Sequence, residues 1–553
     1  MSTDTEPEAG RPISQPILAS SEKLDAQDSL ATATLTPVEV SAAEGTAPSV
    51  APMNLQVQND FQPPVNRLPR EIFIFIAIYV TAEDRTCYKM LIHLTHVCAQ
   101  WRHVLIACPT FWTHIRFGGA DMTSSIASLF FERAQQCALD VHVSFAQFIP
   151  KRRKRIPLAP RFLVIPELAS ERRIRSLFAS EPTWGQTQGL LRGWTDALSQ
   201  IQELELTTDE EHPPPSTLTT FVWDALRSLT LAGFAAPGLH NIKAPNLTVL
   251  KFWDSSYTPL SVVALFDFFD AAPSLEDVSI GSSMVYEFPP PNRKVTLSHV
   301  QRIDLFIGGA PRIASHLTCP SITYTKLTDA LPDDPNDSLF PPELQRLLGQ
   351  YSVKEIINVI MRVVDRNECQ LCSLEFRDPS GTTFRTTRKT FNHDPLQPVP
   401  DDMWPFPVLF DQAISTLSPL PLGQVASFSV DMREASDFEV DSDRVRGSLA
   451  EAFEKCKNLR AVVLESYSPG LFPDISGEKM PPIRVLVVKH PEGVGWEEFV
   501  NNVTEAAQAR HSRGAPLDRV EIITTEEHPK VEQLESLAQE VEYRVIESNY
   551  PYP

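Results

Sequence analysis

Between Ile201 and Leu305 the chain repeats one short apolar pattern: IQELEL (Ile201–Leu206), LRSLTL (Leu226–Leu231), LTVLKF (Leu247–Phe252), LEDVSI (Leu275–Ile280) and VQRIDL (Val300–Leu305). Each copy ends in alternating apolar and polar residues, which is the pattern of a strand that buries one face. Such a strand cannot complete a core alone, so we expect successive copies to stack and to share one core. The repeats therefore predict an α/β fold with short parallel strands.

Weaker copies follow along the chain: LCSLEF (Leu371–Phe376), VASFSV (Val425–Val430), LRAVVL (Leu459–Leu464), IRVLVV (Ile483–Val488) and LDRVEI (Leu517–Ile522). The first five copies start roughly 20 to 30 residues apart, which is the period of leucine-rich repeats. Four segments are predicted to cover the outer side of the strands: Leu260–Phe269, Val353–Val364, Val445–Phe453 and Trp496–Ala507. We expect residues 118–553 to form a leucine-rich-repeat-like solenoid of short parallel strands and helices, with a compact α/β domain as the alternative.

Further elements are predicted on either side of the repeats. Thr123–Ala134 has the pattern of an amphipathic helix, Leu139–Val143 alternates like a strand, and the tail from Lys530 to Glu547 contains a helix candidate and a last strand at Tyr543–Ile546. Proline and acidic residues predict three loops: Thr208–Thr217, Leu331–Pro342 and Asn392–Pro407. The tail is expected to form the polar end-cap that solenoids need.

Composition limits the partners. The chain has 553 residues, of which 42% are apolar and 22% charged, so it can bury a sizeable core. Its net charge of −21 opposes nonspecific binding to nucleic acid or to an anionic membrane, and we expect neither as a partner. Residues 1–64 are rich in Ser, Thr, Ala, Pro and Glu, and this composition predicts a disordered segment.

The sequence also bears on location. The acidic start lacks the order of a secretory signal, and the longest apolar run, Ile72–Val80, is too short to span a bilayer. Eight scattered cysteines fit a reducing compartment, so the expected location is cytoplasmic, nuclear or both. The basic run Lys151–Arg155 is either a nuclear-import signal or a solvated loop.

The region from Val65 to Phe117 has a helical pattern instead. It opens with Leu68-Pro69 and Glu71, and Pro69 stands where the first turn of a helix tolerates a missing N–H. Apolar residues then recur at helical spacing in two runs: Ile72, Phe73, Ile76, Tyr79 and Val80, then Leu91, Leu94, Val97, Cys98, Trp101 and Leu105. Two or three short helices cannot form a large core, so we expect part of their apolar surface to await another surface.

In this region Leu68-Pro69-x-Glu71-Ile72 is followed by Val97-Cys98-Ala99-Gln100-Trp101-Arg102 and by Pro109-Thr110-Phe111-Trp112. These residues resemble an F-box in the form common in large fungal families, where the second half reads V-C-R-x-W-R and runs into a P-x-L-W-like segment. The chain departs from that pattern at Ala99, where the family usually has a basic residue. The repeats also resemble the imperfect leucine-rich repeats that follow the F-box in those proteins.

The resemblance implies an adaptor of a cullin-type (SCF) ubiquitin ligase, which binds a Skp-type adaptor and recruits a protein target that the sequence does not identify. The positions that the resemblance assigns to adaptor binding are Leu68, Pro69, Ile72, Ile76, Val97, Cys98, Trp101 and Arg102. Arg102 is expected to pair with an acidic residue of the adaptor or to stay solvated. The alternative is a repeat-based interaction scaffold whose F-box-like helices only cap the solenoid.

Motifs of catalysis and metal binding are missing from the sequence. It contains no G-x-S-x-G elbow, Walker A loop, H-E-x-x-H or dinucleotide glycine fingerprint, so we expect neither an enzyme nor a cofactor. Cys369-x-x-Cys372 lacks a second pair at zinc spacing, and His93-x-x-His96-x-Cys98 lacks a completing carboxylate. We interpret the cysteine pair as structural and the histidines as buried or at the rim of the core, with no metal.

Overall fold

The structure is a computed structural model. It describes residues 68–82, 88–117, 124–144, 146–149, 154–157, 173–180, 200–207, 221–233, 242–253, 259–282, 285–329, 347–348, 356, 358–366, 369–391, 413–414, 416–417, 420–431, 442–466, 475, 479–490, 495–525 and 531–546. The segment from Leu68 to Pro553 forms one compact unit. The predicted disordered segment 1–64 and the three predicted loops, Thr208–Thr217, Leu331–Pro342 and Asn392–Pro407, lie outside the described residues.

The strands are short and follow one another along the whole described chain. In chain order they are β1 His114–Phe117, β2 Leu139–Ser144, β3 Ala146–Ile149, β4 Lys154–Pro157, β5 Ile174–Ser180, β6 Glu203–Thr207, β7 Phe221–Val222, β8 Ser228–Ala232, β9 Ile242–Lys243, β10 Val249–Trp253, β11 Leu260–Ser261, β12 Asp277–Ser282, β13 Val285–Tyr286, β14 Val295–Thr296, β15 Arg302–Ile307, β16 Leu317–Thr318, β17 Tyr324–Asp329, β18 Asn358–Arg366, β19 Cys369–Arg377, β20 Thr383–Phe391, β21 Ser427–Asp431, β22 Ala461–Ser466, β23 Val485–Lys489, β24 Leu517–Thr524 and β25 Ala538–Val545.

In the described part of the chain, one large, mostly parallel sheet of 17 strands organises a mixed α/β fold. Its first part pairs in parallel in the order β1-β2-β5-β6-β8-β10-β12-β15-β17. Its last part, β21-β22-β23-β24-β25, is also parallel throughout. Three pairs of two-residue strands run parallel beside the sheet, and they are β7–β9, β11–β13 and β14–β16.

The five main sequence copies stand in register. Leu204, Leu229, Leu250, Val278 and Ile303 lie opposite one another on successive strands, and all are buried. Because side chains alternate between the faces of a strand, the alternation in the sequence directs these residues to one shared core. The predicted parallel pairing of the five copies is confirmed.

The opposite face of the sheet, here called the polar face, carries polar side chains in register. Across the strands from β6 to β17 the row contains Glu205, Thr230, Lys251, Ser279, Asp304 and Lys326. The same alternation that buries the leucines places these residues on the other side.

Three strands interrupt the parallel series. β18, β19 and β20 form an antiparallel meander, in which β20 pairs in parallel with β17 and β18 pairs in parallel with β21. The spatial order is therefore β17-β20-β19-β18-β21. The prediction that LCSLEF (Leu371–Phe376) is another parallel copy is wrong in direction, because alternation predicts a strand but not which way it runs.

The helices are α1 Arg70–Ala82, α2 Tyr88–Val97, α3 Ala99–Ile106, α4 Ser124–Arg133, α5 Val262–Ala271, α6 Ala310–Ala314, α7 Ser442–Lys455, α8 Trp496–Ser512 and α9 Glu532–Glu535, with 3-10 turns at Pro109–Trp112 and Leu422–Gln424. Three predicted covering segments are confirmed as α5, α7 and α8. The fourth, Val353–Val364, is wrong, because its described part enters strand β18 at Asn358. Its β-branched residues suit a strand, and β19 and β21 supply neighbours on both sides.

Two smaller predictions also need correction. Lys154 and Arg155, predicted in a loop, belong to β4 of the β3–β4 hairpin, whereas residues 151–153 of the basic run lie outside the described residues. In the tail, the helix α9 is only four residues long, and the last strand begins at Ala538 rather than at Tyr543. Among the described helices, none has the length and apolarity needed to cross a membrane.

Candidate functional site

Helix α1 has one face inside the protein. It begins after Pro69, whose carbonyl oxygen accepts a hydrogen bond from the backbone N–H of Phe73 at 3.0 Å. Phe73 and Ala77, four residues apart, are buried, and the Phe73 ring lies 4.6 Å from the Trp101 ring of α3. This i, i+4 pair fixes α1 against α2 and α3.

The other face of α1 is apolar and exposed. Ile72, Phe75, Ile76 and Tyr79, here called the α1 stripe, are 49%, 70%, 44% and 63% exposed. Their spacing of i, i+3, i+4 and i+7 is the one by which a helix normally turns an apolar stripe toward a core. Here that stripe faces outward, and large exposed apolar patches of this kind mark sites where another surface binds.

Other apolar side chains around these helices are also exposed. They include Ile78 on α1, Met90 and Val97 on α2, and Ile106 on α3. Val97, at the end of α2, is 56% exposed and is one of the residues that the F-box resemblance assigns to adaptor binding. Helices α1, α2 and α3 therefore each expose at least one large apolar side chain to solvent.

The structure divides the eight predicted adaptor-binding residues into two groups. Four are exposed, namely Pro69, Ile72, Ile76 and Val97, and Leu68 is half-buried. The other three have contacts within the chain. Cys98 caps α3, its Sγ accepting from the Trp101 backbone N–H at 3.4 Å, and Arg102, although exposed, donates from Nε to the Thr95 carbonyl oxygen at 2.9 Å.

Trp101 and Phe75 differ from each other in exposure. Trp101 is half-buried against Phe73, so its indole takes part in the packing of α1 on α3, and its assignment to adaptor binding stays a prediction. Phe75, the most exposed of the large apolar residues on α1, was missing from the predicted set. The i, i+3, i+4, i+7 spacing of the α1 stripe was the signal that could have identified it.

A buried tryptophan joins the helices to the sheet. Trp112 is fully buried, and its Nε1 donates to the Leu105 carbonyl oxygen of α3 at 2.9 Å. Its ring packs edge-on against Phe130 of α4 at 4.8 Å, and the Arg133 guanidinium lies 4.3 Å above it. Strand β1 starts two residues later, so the helical segment runs directly into the first strand of the sheet.

The candidate metal motifs are scattered in the structure. His93 and His96 are exposed, so of the two predicted positions the buried one is wrong and a position at the rim of the core stays a prediction. Cys372 is fully buried on the core side of β19, and burial raises the pKa of its thiol to about 12. Within the described part of the chain, no three His, Cys, Asp or Glu side chains come together as metal ligands would.

Neither a protein-family model nor a curated protein matches this chain. Its function is inferred from its own residues, and the α1 stripe is the feature that most directly suggests one.

Proposed function

We propose that the chain is an F-box adaptor of a cullin-type (SCF) ubiquitin ligase and that the α1 stripe docks on a Skp-type adaptor. The α1 stripe is the main observation that supports this proposal, because four large apolar side chains on one face of the helix are exposed to solvent. Covering such surface is favourable by roughly 25 cal/mol for each Å² of apolar area. The Skp-type adaptor is the partner that the F-box-like residues around the stripe imply.

The rest of the chain would recruit the target. We propose that the strands belong to a leucine-rich-repeat-like solenoid, and the parallel order from β1 to β17 supports it, as do the three short parallel pairs beside the sheet. Polar residues in register on the polar face and in the loops would contact the target. The chain would act by positioning, raising the local concentration of the target near the ubiquitin carrier, in the cytoplasm or the nucleus.

Binding of the full chain to a purified fungal Skp-type adaptor tests the proposal. The double variant Phe75→Asp/Ile76→Asp places two charges on the stripe, where they would have to be desolvated in the interface. We expect it to bind at least about 100-fold more weakly than the unchanged chain, which corresponds to about 2.7 kcal/mol. Its thermal midpoint should stay the same, because both side chains already face water.

The matched control is Val545→Asp, which places the same charge on an exposed apolar residue of β25, the last strand of the sheet. It should bind the adaptor like the unchanged chain. If the folded, unchanged chain fails to bind the adaptor, the ligase proposal is wrong and the capping-scaffold alternative is favoured. If the double variant binds normally, the α1 stripe is not the docking surface.

A further inference from the structure

Three hydroxyl groups occupy neighbouring positions on the polar face of the sheet. Thr328 on β17 lies opposite Thr387 on β20, which in turn lies opposite Ser373 on β19. Their side chains are 3%, 3% and 0% exposed, and none of the three hydroxyls has a hydrogen-bond partner among the described residues. Buried hydroxyls nearly always have partners, so three adjacent exceptions point to a bound polar group.

Arg385 lies beside these hydroxyls. It precedes Thr387 by two residues on β20, and therefore projects from the same face. Its Nε is buried and has no hydrogen-bond partner in the described part of the chain. The residue as a whole is half-buried, so part of its side chain is exposed to solvent. A guanidinium offers forked N–H donors that match the oxygens of a carboxylate or a phosphate.

The carboxylates in the same register row as Arg385 already have other cations. Across β17, Lys326 binds Asp304 at 3.1 Å. Across β19, Glu375 binds Arg362 at 3.4 Å and also binds Arg377. Arg385 therefore has no ion pair among the described residues, although it lies between the Lys326–Asp304 and Glu375–Arg362 pairs. An additional anion at this position is favourable.

The local charge differs from that of the whole chain. Among the described residues, this part of the polar face holds as many cations as carboxylates, while the full chain carries a net charge of −21. The cations are Lys326, Arg362, Arg377 and Arg385, and the carboxylates are Asp304, Glu375, Asp431 and Glu465. An anion bound here therefore meets a balanced local charge rather than the acidic average of the chain.

An aromatic surface continues the same row of the sheet. Phe306 lies opposite Thr328, Gly281 lies opposite Phe306, and Trp253 lies opposite Gly281. The Trp253 ring covers Gly281 so closely that any Cβ there would clash with it, yet Trp253 remains 41% exposed. Strands are about 4.8 Å apart, so the Trp253 ring above β12 lies roughly 14 Å from Thr387.

We propose that this part of the polar face is a recognition site for an extended target segment that carries an anionic side chain. The exposed part of the Arg385 side chain binds its carboxylate or phosphate group first, and a shift of the side chains above Thr328, Thr387 and Ser373 then lets their buried hydroxyls bind the same group. The unpartnered Oδ1 of Asp304 accepts an N–H of the same segment. An apolar side chain about four residues away, at roughly 3.3 Å per residue, reaches Phe306 and Trp253.

Inorganic phosphate is the first probe, added to the full chain at constant ionic strength with chloride as the reference. Binding to the folded state raises the thermal midpoint. We expect phosphate to raise the thermal midpoint of the unchanged chain and of the control variant Lys251→Gln. The control removes an exposed cation of the polar face on β10, which is three strands away from β17 and therefore far from Arg385 on β20. Arg385→Gln should lose the effect, and an equal response of all three proteins overturns the proposal.

Three peptides then identify the source of the anion. Each has a phenylalanine four residues from a test position that is phosphoserine, glutamate or serine, and binding is followed by fluorescence anisotropy. We expect the phosphoserine or the glutamate peptide to bind at least 10-fold more tightly than the serine peptide, and Arg385→Gln to remove the difference. Thr387→Val, which keeps the side-chain shape, should weaken binding 3- to 10-fold.

Equal binding of the three peptides, or phosphate binding without binding of either anionic peptide, overturns recognition of a target segment. The interpretation of this recognition site as the target site of a ligase adaptor rests on the proposed function. The experiments can nevertheless disprove the recognition site and the proposed function independently of each other. Arg385→Gln should still bind the Skp-type adaptor, and Phe75→Asp/Ile76→Asp should still bind the anionic peptide.

Discussion

Helices α1 and α5 have similarly apolar sequences, but the protein buries only one of them. In α5 five apolar side chains are buried, namely Val262, Leu265, Phe266, Phe268 and Phe269. In α1 the buried side chains are Phe73 and Ala77, while the α1 stripe stays exposed. Helix α5 packs against the short strands β9, β11 and β14, whereas α1 packs on the short helices α2 and α3. An apolar helix is therefore evidence for a covering surface, but that surface can belong to another protein.

The largest expected effect comes from removing a ring of α5. Phe266 is fully buried and packs against Phe269 and His316. Phe266→Ala should lower the free energy of unfolding by about 3–5 kcal/mol, because it removes buried apolar area and leaves a cavity. The matched change in α1, Phe75→Ala, should alter it by less than about 0.5 kcal/mol. Urea denaturation of both full-length variants measures this difference, and equal losses would mean that α1 is as well covered as α5.

An intermediate loss of stability is expected from a change in the packing of helices α1, α2 and α3. Trp101→Ala removes the ring that packs on Phe73, so it should lower the free energy of unfolding by about 2 kcal/mol, less than a fully buried tryptophan would. Val97→Ala changes an exposed side chain and should cost less than about 0.5 kcal/mol. The same pair separates packing from docking, because Val97→Ala should weaken binding of the Skp-type adaptor without changing the thermal midpoint. If Trp101→Ala were as stable as the unchanged chain but did not bind the adaptor, Trp101 would be part of the docking surface.

The smallest perturbation is alkylation of single thiols. Cys98, Cys108 and Cys137 are partly exposed, and they lie before strand β2. Three thiols further along the chain are buried, namely Cys319, Cys372 and Cys456. Burial raises the pKa of each buried thiol to about 12, and the thiolate is the reactive form. Iodoacetamide at pH 8 should therefore label Cys98, Cys108 and Cys137 in the folded chain, and in urea it should also label Cys319, Cys372 and Cys456, as read by mass spectrometry of the peptides that contain these six of the eight cysteines. Rapid labelling of the buried three in the folded chain would contradict their burial.

The same thiols predict a loss of stability in alkali. The unfolded chain ionises them near their ordinary pKa of 9.0, while the folded chain keeps them protonated up to about 12. The contribution of these protonated thiols to the free energy of unfolding is complete below pH 9.0, and it is lost as the pH rises from 9.0 to about 12. A thermal midpoint that stayed constant across the window would argue against it.

The strands of the repeats were predictable because their information is local. Alternation within six residues fixes which side chains face the core, as in Leu229 and Leu231 of β8. The meander of β18, β19 and β20 was not predictable in the same way, since the direction and order of strands depend on pairing between distant segments. Val353–Val364 was misassigned for that reason, because its apolar residues fit either a covering helix or a central strand.

The two candidate sites differ in the same respect. The α1 stripe lies within eight consecutive residues, so its spacing was visible in the sequence even though Phe75 was overlooked. The recognition site on the polar face draws on residues from five strands, and Thr328, Ser373 and Arg385 become neighbours only through strand register. No local pattern connects them.

The sequence by itself determined that the chain forms short strands with one apolar face and that its N-terminal helices are apolar, because both follow from the order of neighbouring residues. Only the tertiary structure decided that α5 is covered and the α1 stripe is not, and that Arg385 has no described counter-ion. Burial and ion pairing depend on which distant segments meet, and this is a property of the folded chain as a whole.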